Sequence, residues 1–497
     1  MKYVMGVDLG TSAVKVLLLN QEGEVIREAA KSYPSIQKKS GYSEQNPEEW
    51  VEKTILAIKE ITAGLDPEGI EGISFSGQMH GLVLLDCNHQ VLRDAILWND
   101  TRTTKQCRDI YELVGEKRLL DIAKNPALEG FTLPKLLWVK EHEPEIYESA
   151  AVFLLPKDYL RYCLTGEIHT EFSDAAGTLL LNISEKEWSR EICEAVGVDI
   201  RLCPPLIESS DFTGCLMPDI AHQTGLSDQV KVFAGGADNA CGAIGSGILE
   251  EGKTLCSIGT SGVVLSYEES NQRDFAGRVH YFNHGKENAY YTMGVTLAAG
   301  HSLSWFKDIF AADEHFDDLL KGLAAVPIGA NGLLFTPYIS GERTPHADAV
   351  IRGSFIGMDT SHKKIDFVRA VIEGITFSLN ESVEIIRESG KKIDSIISIG
   401  GGAKNEEWLQ IQADIFNAKI VKLTSEQGPG VGAAMLAAYG CGWYSSLSKC
   451  SQVFTQVAET YEPIKENVEK YKELYSLYKL IYQKTKGLNA SLNRFRH

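Results

Sequence analysis

Two stretches of this chain, close to half its length apart, spell the same unit: an apolar strand, a Gly-Thr-Ser turn, a second apolar strand and an acidic turn. The first runs from YVMGVDLG through TSA into VKVLLLN and QEGE; the second is TLCSIGTSGVVLSYEES, starting near Lys253. GTSAVKVLLLN and GTSGVVLSY share the turn and the strand after it. A match this short can arise by chance, but its half-chain spacing favours a duplicated unit. VIREAA continues the first copy into an antiparallel meander. Asn46, Pro47, Glu48 and Glu49 then predict a capped helix start. Strand-like and helix-like segments alternate beyond it (GISFSG, GLVLLD, PKLLWVKEHEPEIYESA, VKVFAGG), which implies an α/β layer architecture. The boundary between the copies is placed in GSGILEEGK, giving an N-terminal domain over 1–247 and a C-terminal one over 253–497.

The chain has 497 residues, enough for two to four domains at roughly 100–200 residues each. Its formal charge of -18 repels phosphate backbones and anionic lipid, so neither nucleic acid nor membrane is an expected partner. The same charge sets a condition on any bound nucleotide. It needs local N–H dipoles, a few cations and a metal ion to offset the field. Ten cysteines, from Cys87 to Cys450, show no C-x-x-C pair and no His-Cys cluster, and read as reduced thiols in the cytosol. His280 and His284, in VHYFNHGK, lie too far apart on a strand to share a metal. The N-terminus lacks a signal-peptide layout, and no run approaches the ~18 apolar residues of a membrane span.

From Pro463 to Lys486, Ile464, Val468, Tyr471, Tyr475, Tyr478 and Tyr482 recur at three-and-four spacing. They predict a long amphipathic helix that packs through this stripe and stops at Gly487. The chain after Tyr439 is expected to be mostly this helix.

Three segments suit a nucleotide. In Asp8-Leu9-Gly10-Thr11-Ser12, Gly10 allows close backbone approach and the hydroxyls add donors. Lys15 on the following strand reaches toward a terminal phosphate, and Asp8 suits Mg²⁺ held through water. A plain hairpin with a polar turn explains this segment about as well. Ser257-Ile258-Gly259-Thr260-Ser261-Gly262, read as the copy, supplies a facing hairpin. Ile399-Gly400-Gly401-Gly402-Ala403-Lys404-Asn405 is a glycine-rich strand-to-helix turn, where a base or phosphate can lie against backbone. It lacks the Rossmann spacing, and no G-x-x-x-x-G-K-[ST] occurs, which excludes a P-loop.

Two more segments suit a small polyol. In AGGADNA, Asp238 stands at a helix N-terminus, a setting that favours its ionised form; a mere cap is the competing reading. In SGQMHG, Gln78 and His80 offer donors and Met79 an apolar wall. Trp98-Asn99-Asp100-Thr101-Arg102 adds an aromatic and a charged pair, with a solvated ion pair beside a core tryptophan as the alternative.

Taken together, these segments resemble the FGGY family of carbohydrate kinases, and within it the xylulokinases, from Val7 to about Tyr439. Phe131–Trp138 (FTLPKLLW) and Gly353–Met358 with Glu373-Gly374 resemble the family's signatures. GQMHG, ILWNDTR, LLPKDYLR, SDAAGT, AGGADNA and PYISGERTPH are xylulokinase-like runs. Ala13 and Cys241 depart from the commoner Gly and Ala. The resemblance implies two ribonuclease-H-like domains of the actin, hexokinase and Hsp70 type, with an active-site cleft between them. It implies transfer of the γ-phosphoryl of MgATP to D-xylulose, giving D-xylulose 5-phosphate. Asp238 is then the proton acceptor. Met79, His80, Gln78 and Asn239 are sugar contacts, and Asp8 stands near the metal and phosphates. Thr11, Ser12, Lys15, Gly259, Thr260, Gly401, Gly402 and Asn405 bind ATP.

The partners expected are the sugar and MgATP in the cytoplasm, with a homodimer admitted. Other readings are a kinase for ribulose, gluconate or glycerol, a chaperone-type ATPase, and a silent sugar sensor.

Overall fold

The computed structural model describes residues 2–425 and 428–496. Both Gly-Thr-Ser turns close antiparallel hairpins. The first joins Tyr3–Leu9 to Ala13–Asn20, and the second joins Lys253–Ile258 to Gly262–Glu268. Each hairpin is the centre of a seven-stranded sheet.

In the first sheet the order is Phe212–Cys215, Lys231–Phe233, Ile70–Gly77, Tyr3–Leu9, Ala13–Asn20, Val25–Ser32, with Gly236–Ala237 also paired to Ile70–Gly77. In the second it is His280–Asn283, Tyr290–Thr296, Gly262–Glu268, Lys253–Ile258, Ser395–Gly400, Lys419–Leu423, Val457–Tyr461. Each sheet contains an antiparallel three-strand meander followed by two parallel strands and an antiparallel edge strand. The short sequence repeat is therefore the visible part of a repeated topology. The parallel strands need crossover helices, and those helices cover the sheets.

Asn46 caps the helix Pro47–Thr62 by accepting from the Glu48 N–H at 3.0 Å. The helix Gly428–Gly440, from the second half of the chain, lies on Tyr3–Leu9, Ile70–Gly77 and the helix Asp238–Gly245. Glycine makes that contact possible. A Cβ at Gly6 would stand 1.9 Å from the Gly430 carbonyl oxygen, and one at Gly432 would stand 1.8 Å from that of Cys241. Among the described residues no helix is long and apolar enough to cross a membrane.

The C-terminal region departs from expectation in three ways. Its helix spans Lys465–Leu492 and runs through Gly487, where the solvent-facing backbone stays helical; an exposed interior glycine costs only about 1 kcal/mol relative to alanine. Ile464 stands before the helix and is 48% exposed, whereas Val468, Tyr471, Tyr475 and Tyr478 are buried. Between Tyr439 and this helix the chain also forms the helix Leu447–Phe454 and the edge strand Val457–Tyr461. The amphipathic pattern of the last helix is the stronger signal and masked them.

Candidate active site

Strand register assembles one wall of the cleft. Leu9 and Ala237 both pair with Gly77, so Asp8, the Gln78–His80 loop and Asp238 leave the first sheet at the same end. In the second sheet Ile258 pairs with Gly400, which sets the second Gly-Thr-Ser turn beside the glycine-rich turn.

A cavity of about 260 Å³ lies between the halves. Met79, His80, Trp98, Phe131, Asp238 and Asn239 line it from the first half; Ser261, Val263, His280, Phe282, Met293 and Arg343 line it from the second. Of the sugar-site candidates, Met79, His80, Asp238 and Asn239 meet here. Gln78 is buried and donates to Gln45 Oε1 at 3.3 Å, away from the cavity wall.

The nucleotide candidates are not among the residues that line this cavity. Ser12, Gly259, Thr260 and Gly401 are exposed on their turns, and Gly402 is packed beneath. Thr11 accepts from Trp98 Nε1 at 2.9 Å, tying the first turn to the cavity. The Thr260 carbonyl accepts from the N–H groups of Ala299 and His301, so the N-terminus of the helix Gly300–Phe310 holds the second turn. Asn405 caps the helix Glu406–Phe416 through the Trp408 N–H. Lys15 pairs with Glu28 at 3.0 Å and lies across the ladder from Asp8.

Asp238 is the first residue of its helix. Its Oδ1 accepts from the N–H of Asn239 at 2.7 Å and from Asn239 Nδ2 at 2.9 Å. Burial, and then the Asp8 carboxylate, push its pKa up to about 7 despite those bonds. The helix end favours the ionised form, as its position in the sequence implied, but loss of hydration outweighs it. Burial also raises the pKa of Asp8, with Lys15 opposing.

His80 adopts a left-handed backbone (φ 68°) in a loop clamped from several sides. Its carbonyl accepts from Thr132 Oγ1 at 3.1 Å and Lys135 Nζ at 2.9 Å. Thus the FTLPKLLW run serves as the clamp on the His80 loop. Burial lowers the His80 pKa to about 3, so the ring is neutral. Its Nδ1–H donates to the Gly177 carbonyl at 2.6 Å, which leaves Nε2 as an acceptor. His280, likewise lowered to about 3 by burial, donates Nδ1–H to Asn125 Oδ1 at 3.1 Å and stacks on Phe282.

Sequence reasoning missed His280, Phe282 and Arg343. His280 was weighed only as a metal ligand, and Arg343 stood inside a recognisable run with nothing to mark its direction. Among the described residues, Arg343 is the one that lines the cavity with a fixed positive charge. The Trp98 segment reverses its bland alternative: Trp98 is 42% exposed at the cavity, while Asp100 and Arg102 form a buried pair at 2.7 Å. The second signature lies elsewhere. Glu373 is buried against Arg369 and Tyr471, and a Cβ at Gly374 would meet the Phe335 carbonyl oxygen at 2.2 Å, so this stretch packs a helix on a strand.

For a metal, Asp8 fits the manner in which Mg²⁺ binds, through one or two carboxylates plus phosphates and retained waters. Among the described residues there is no cluster of three or more His, Cys, Asp or Glu side chains that could hold an ion unaided.

Comparison with known proteins agrees with this geometry. The FGGY family of carbohydrate kinases, N-terminal domain, matches residues 3–245, and its C-terminal domain matches 254–441. The chain is 63% identical over 498 residues to the xylulose kinase of Bacillus subtilis (strain 168), covering 100% of each chain. Among solved structures it is similar to a ligand-bound xylulose kinase from Lactobacillus acidophilus (TM-score 0.94, 28% identity, 99% of this chain and 100% of that one). It is also similar to a gluconate kinase from the same organism (TM-score 0.93, 28% identity, 99% of each chain).

Proposed function

The chain belongs to the FGGY family of carbohydrate kinases, and from that premise we propose that it phosphorylates D-xylulose with ATP, using Asp238 as the general base. The observation that carries the assignment is the shared cavity. Asp238, the neutral His80 ring and the Ser261 turn line one space between two equivalent sheets.

Met79 and the Phe131 and Phe282 rings form the apolar sides of that space. His80 Nε2, Asn239 and Arg343 provide acceptor and donor groups for hydroxyls. The sugar's C5 hydroxyl points at Asp238, which takes its proton as the oxygen attacks Pγ of ATP. The bond from Pγ to the bridging oxygen of the β-phosphate breaks, leaving ADP and xylulose 5-phosphate. A base whose pKa is about 7 holds a useful ionised fraction near neutrality and still binds a proton strongly enough to assist.

The two Gly-Thr-Ser turns cradle the triphosphate, with Gly401, Gly402 and Asn405 on the nucleotide side. Asp8 would hold Mg²⁺ through water, and the ion would supply the charge compensation that phosphoryl transfer requires. Closure of the halves around both substrates excludes water and so limits ATP hydrolysis. Ten free thiols suit a reducing compartment, and we assign the enzyme to the cytoplasm.

A coupled ADP-release assay over D-xylulose, ribulose, gluconate and glycerol tests the substrate. Xylulose is expected to give the highest kcat/KM; a preference for one of the others overturns the substrate while leaving a carbohydrate kinase.

A further inference from the structure

The loops bearing Asp238 and His80 leave neighbouring strands, yet both are tied to a third piece of chain, residues 171–178. Glu171 caps the short helix Phe172–Ala175, accepting from the N–H groups of Ser173 at 2.7 Å and Asp174 at 2.9 Å. It also accepts from the hydroxyls of Ser173 at 2.9 Å and Ser209 at 2.8 Å. Beneath it, Lys157 Nζ lies 3.3 Å from Glu171, 3.2 Å from Asp174 and 2.7 Å from Asp158, with no more than 1% exposure on any of these side chains. A carboxylate held by four hydrogen-bond donors and an ammonium has one orientation.

The Ser173 hydroxyl proton is committed to Glu171, so its oxygen accepts from the Ala237 N–H at 3.0 Å. Ala237 is the residue before Asp238. Along the same segment, Gly177 supplies the carbonyl that holds the His80 ring. The fit leaves no slack: a Cβ at Gly177 would stand 2.7 Å from His80 Nδ1 and 3.1 Å from Met79 Cε. Stability alone does not account for the ionic core, because well-packed apolar replacements of buried ion pairs are often as stable or more so. An ionic core differs from an apolar one in fixing direction.

We infer that Ser173 and Glu171 are positioning residues for phosphoryl transfer, setting through the Ala237 N–H where the Asp238 carboxylate stands relative to a sugar held at His80. This rests on Asp238 as proton acceptor. Neither residue lines the cavity, so each acts on the rate through Asp238 and leaves sugar affinity nearly alone.

The test is a double-mutant cycle on the intact protein. Ser173→Ala is expected to lower kcat about 10- to 100-fold, with KM for xylulose changed less than about threefold. In an Asp238→Asn background the same substitution is expected to cost almost nothing further, since no carboxylate remains to be misplaced. An equal loss in both backgrounds overturns the inference, as does a lower melting temperature with kcat per folded molecule unchanged. Near-normal turnover by Asp238→Asn alone removes the base assignment and this inference with it, and only that single variant reveals it. Should Ser173→Ala fail to fold, Ser209→Ala withdraws one donor from Glu171 and keeps the Ser209 carbonyl that accepts from the Gly235 N–H. It is expected to lower kcat about three- to tenfold at constant KM, and no change in kcat overturns the inference.

Discussion

The Gly177 carbonyl stands 2.6 Å from His80 Nδ1, and that contact fixes which proton the imidazole carries. A carbonyl only accepts, so Nδ1 holds the hydrogen and Nε2 is left as an acceptor, the group we propose for a sugar hydroxyl. Replacing the ring by His80→Phe keeps the packing against Phe131 and removes the acceptor. KM for xylulose is expected to rise about tenfold or more in initial-rate kinetics. Because the His80 pKa is down at about 3, no ionisation of this residue should shape KM between pH 5 and 9. A limb near pH 6.5 that disappears in His80→Phe would contradict the assigned proton.

Asp238→Ala is expected to lower turnover about 10²- to 10⁴-fold while sugar binding, measured by calorimetry, changes only a few-fold. The acid limb of kcat in the wild type should fall near pH 7, since burial and Asp8 hold the Asp238 pKa at about 7. Asp8→Asn removes a neighbouring negative charge, which makes ionisation easier. The Asp238 resonance in carboxyl-labelled protein should therefore titrate at lower pH in that variant.

The same shift makes stability depend on pH. The folded-state pKa of Asp238 lies above the ordinary 3.8, so between about pH 4 and 7 the folded protein binds more protons than the unfolded chain. Stability from this group is present at pH 4 and is lost as pH rises through 7. A shift of this size bounds the effect at about 4 kcal/mol, reduced because the carboxylate faces a solvent-reachable cavity. Asp238→Asn is expected to melt higher than the wild type at pH 8 and to match it at pH 4, by calorimetry. No difference at pH 8 would mean that the carboxylate is not held at a raised pKa.

Gly432→Ala tests the contact between the halves. The added methyl would meet the Cys241 carbonyl oxygen at 1.8 Å, and both partners are backbone inside helices, so neither yields locally. The helices 428–440 and 238–245 must separate, at a cost of about 1–3 kcal/mol or more. Melting temperature is expected to fall by several degrees and kcat to fall with it, since the second helix begins with Asp238. Unchanged kcat would show that the helix shifts without moving its first residue.

Local chemistry was legible wherever neighbouring residues enforce it. The paired hairpins, the cap at Asn46 and the glycine-rich turn all appear where the pattern puts them, because strand alternation, turn geometry and helix-end hydrogen bonds depend on a few adjacent residues. The edge strand Val457–Tyr461 did not stand out, since what stabilises it is pairing with Lys419–Leu423, a partner remote in sequence. Trp98 and Asp100 were left between two readings for a related reason. Exposure depends on what folds over a residue, and a tryptophan at a cleft looks like any other in sequence.

By itself the sequence determined the α/β class, the internal duplication and the family, because these follow from periodicity and from contiguous runs of residues. Only the tertiary structure decided which groups share the cavity, which imidazole nitrogen carries a proton and how far burial lifts the Asp238 pKa. Those depend on distances between residues far apart in the chain and on how much water the fold removes from each, quantities that no local pattern encodes.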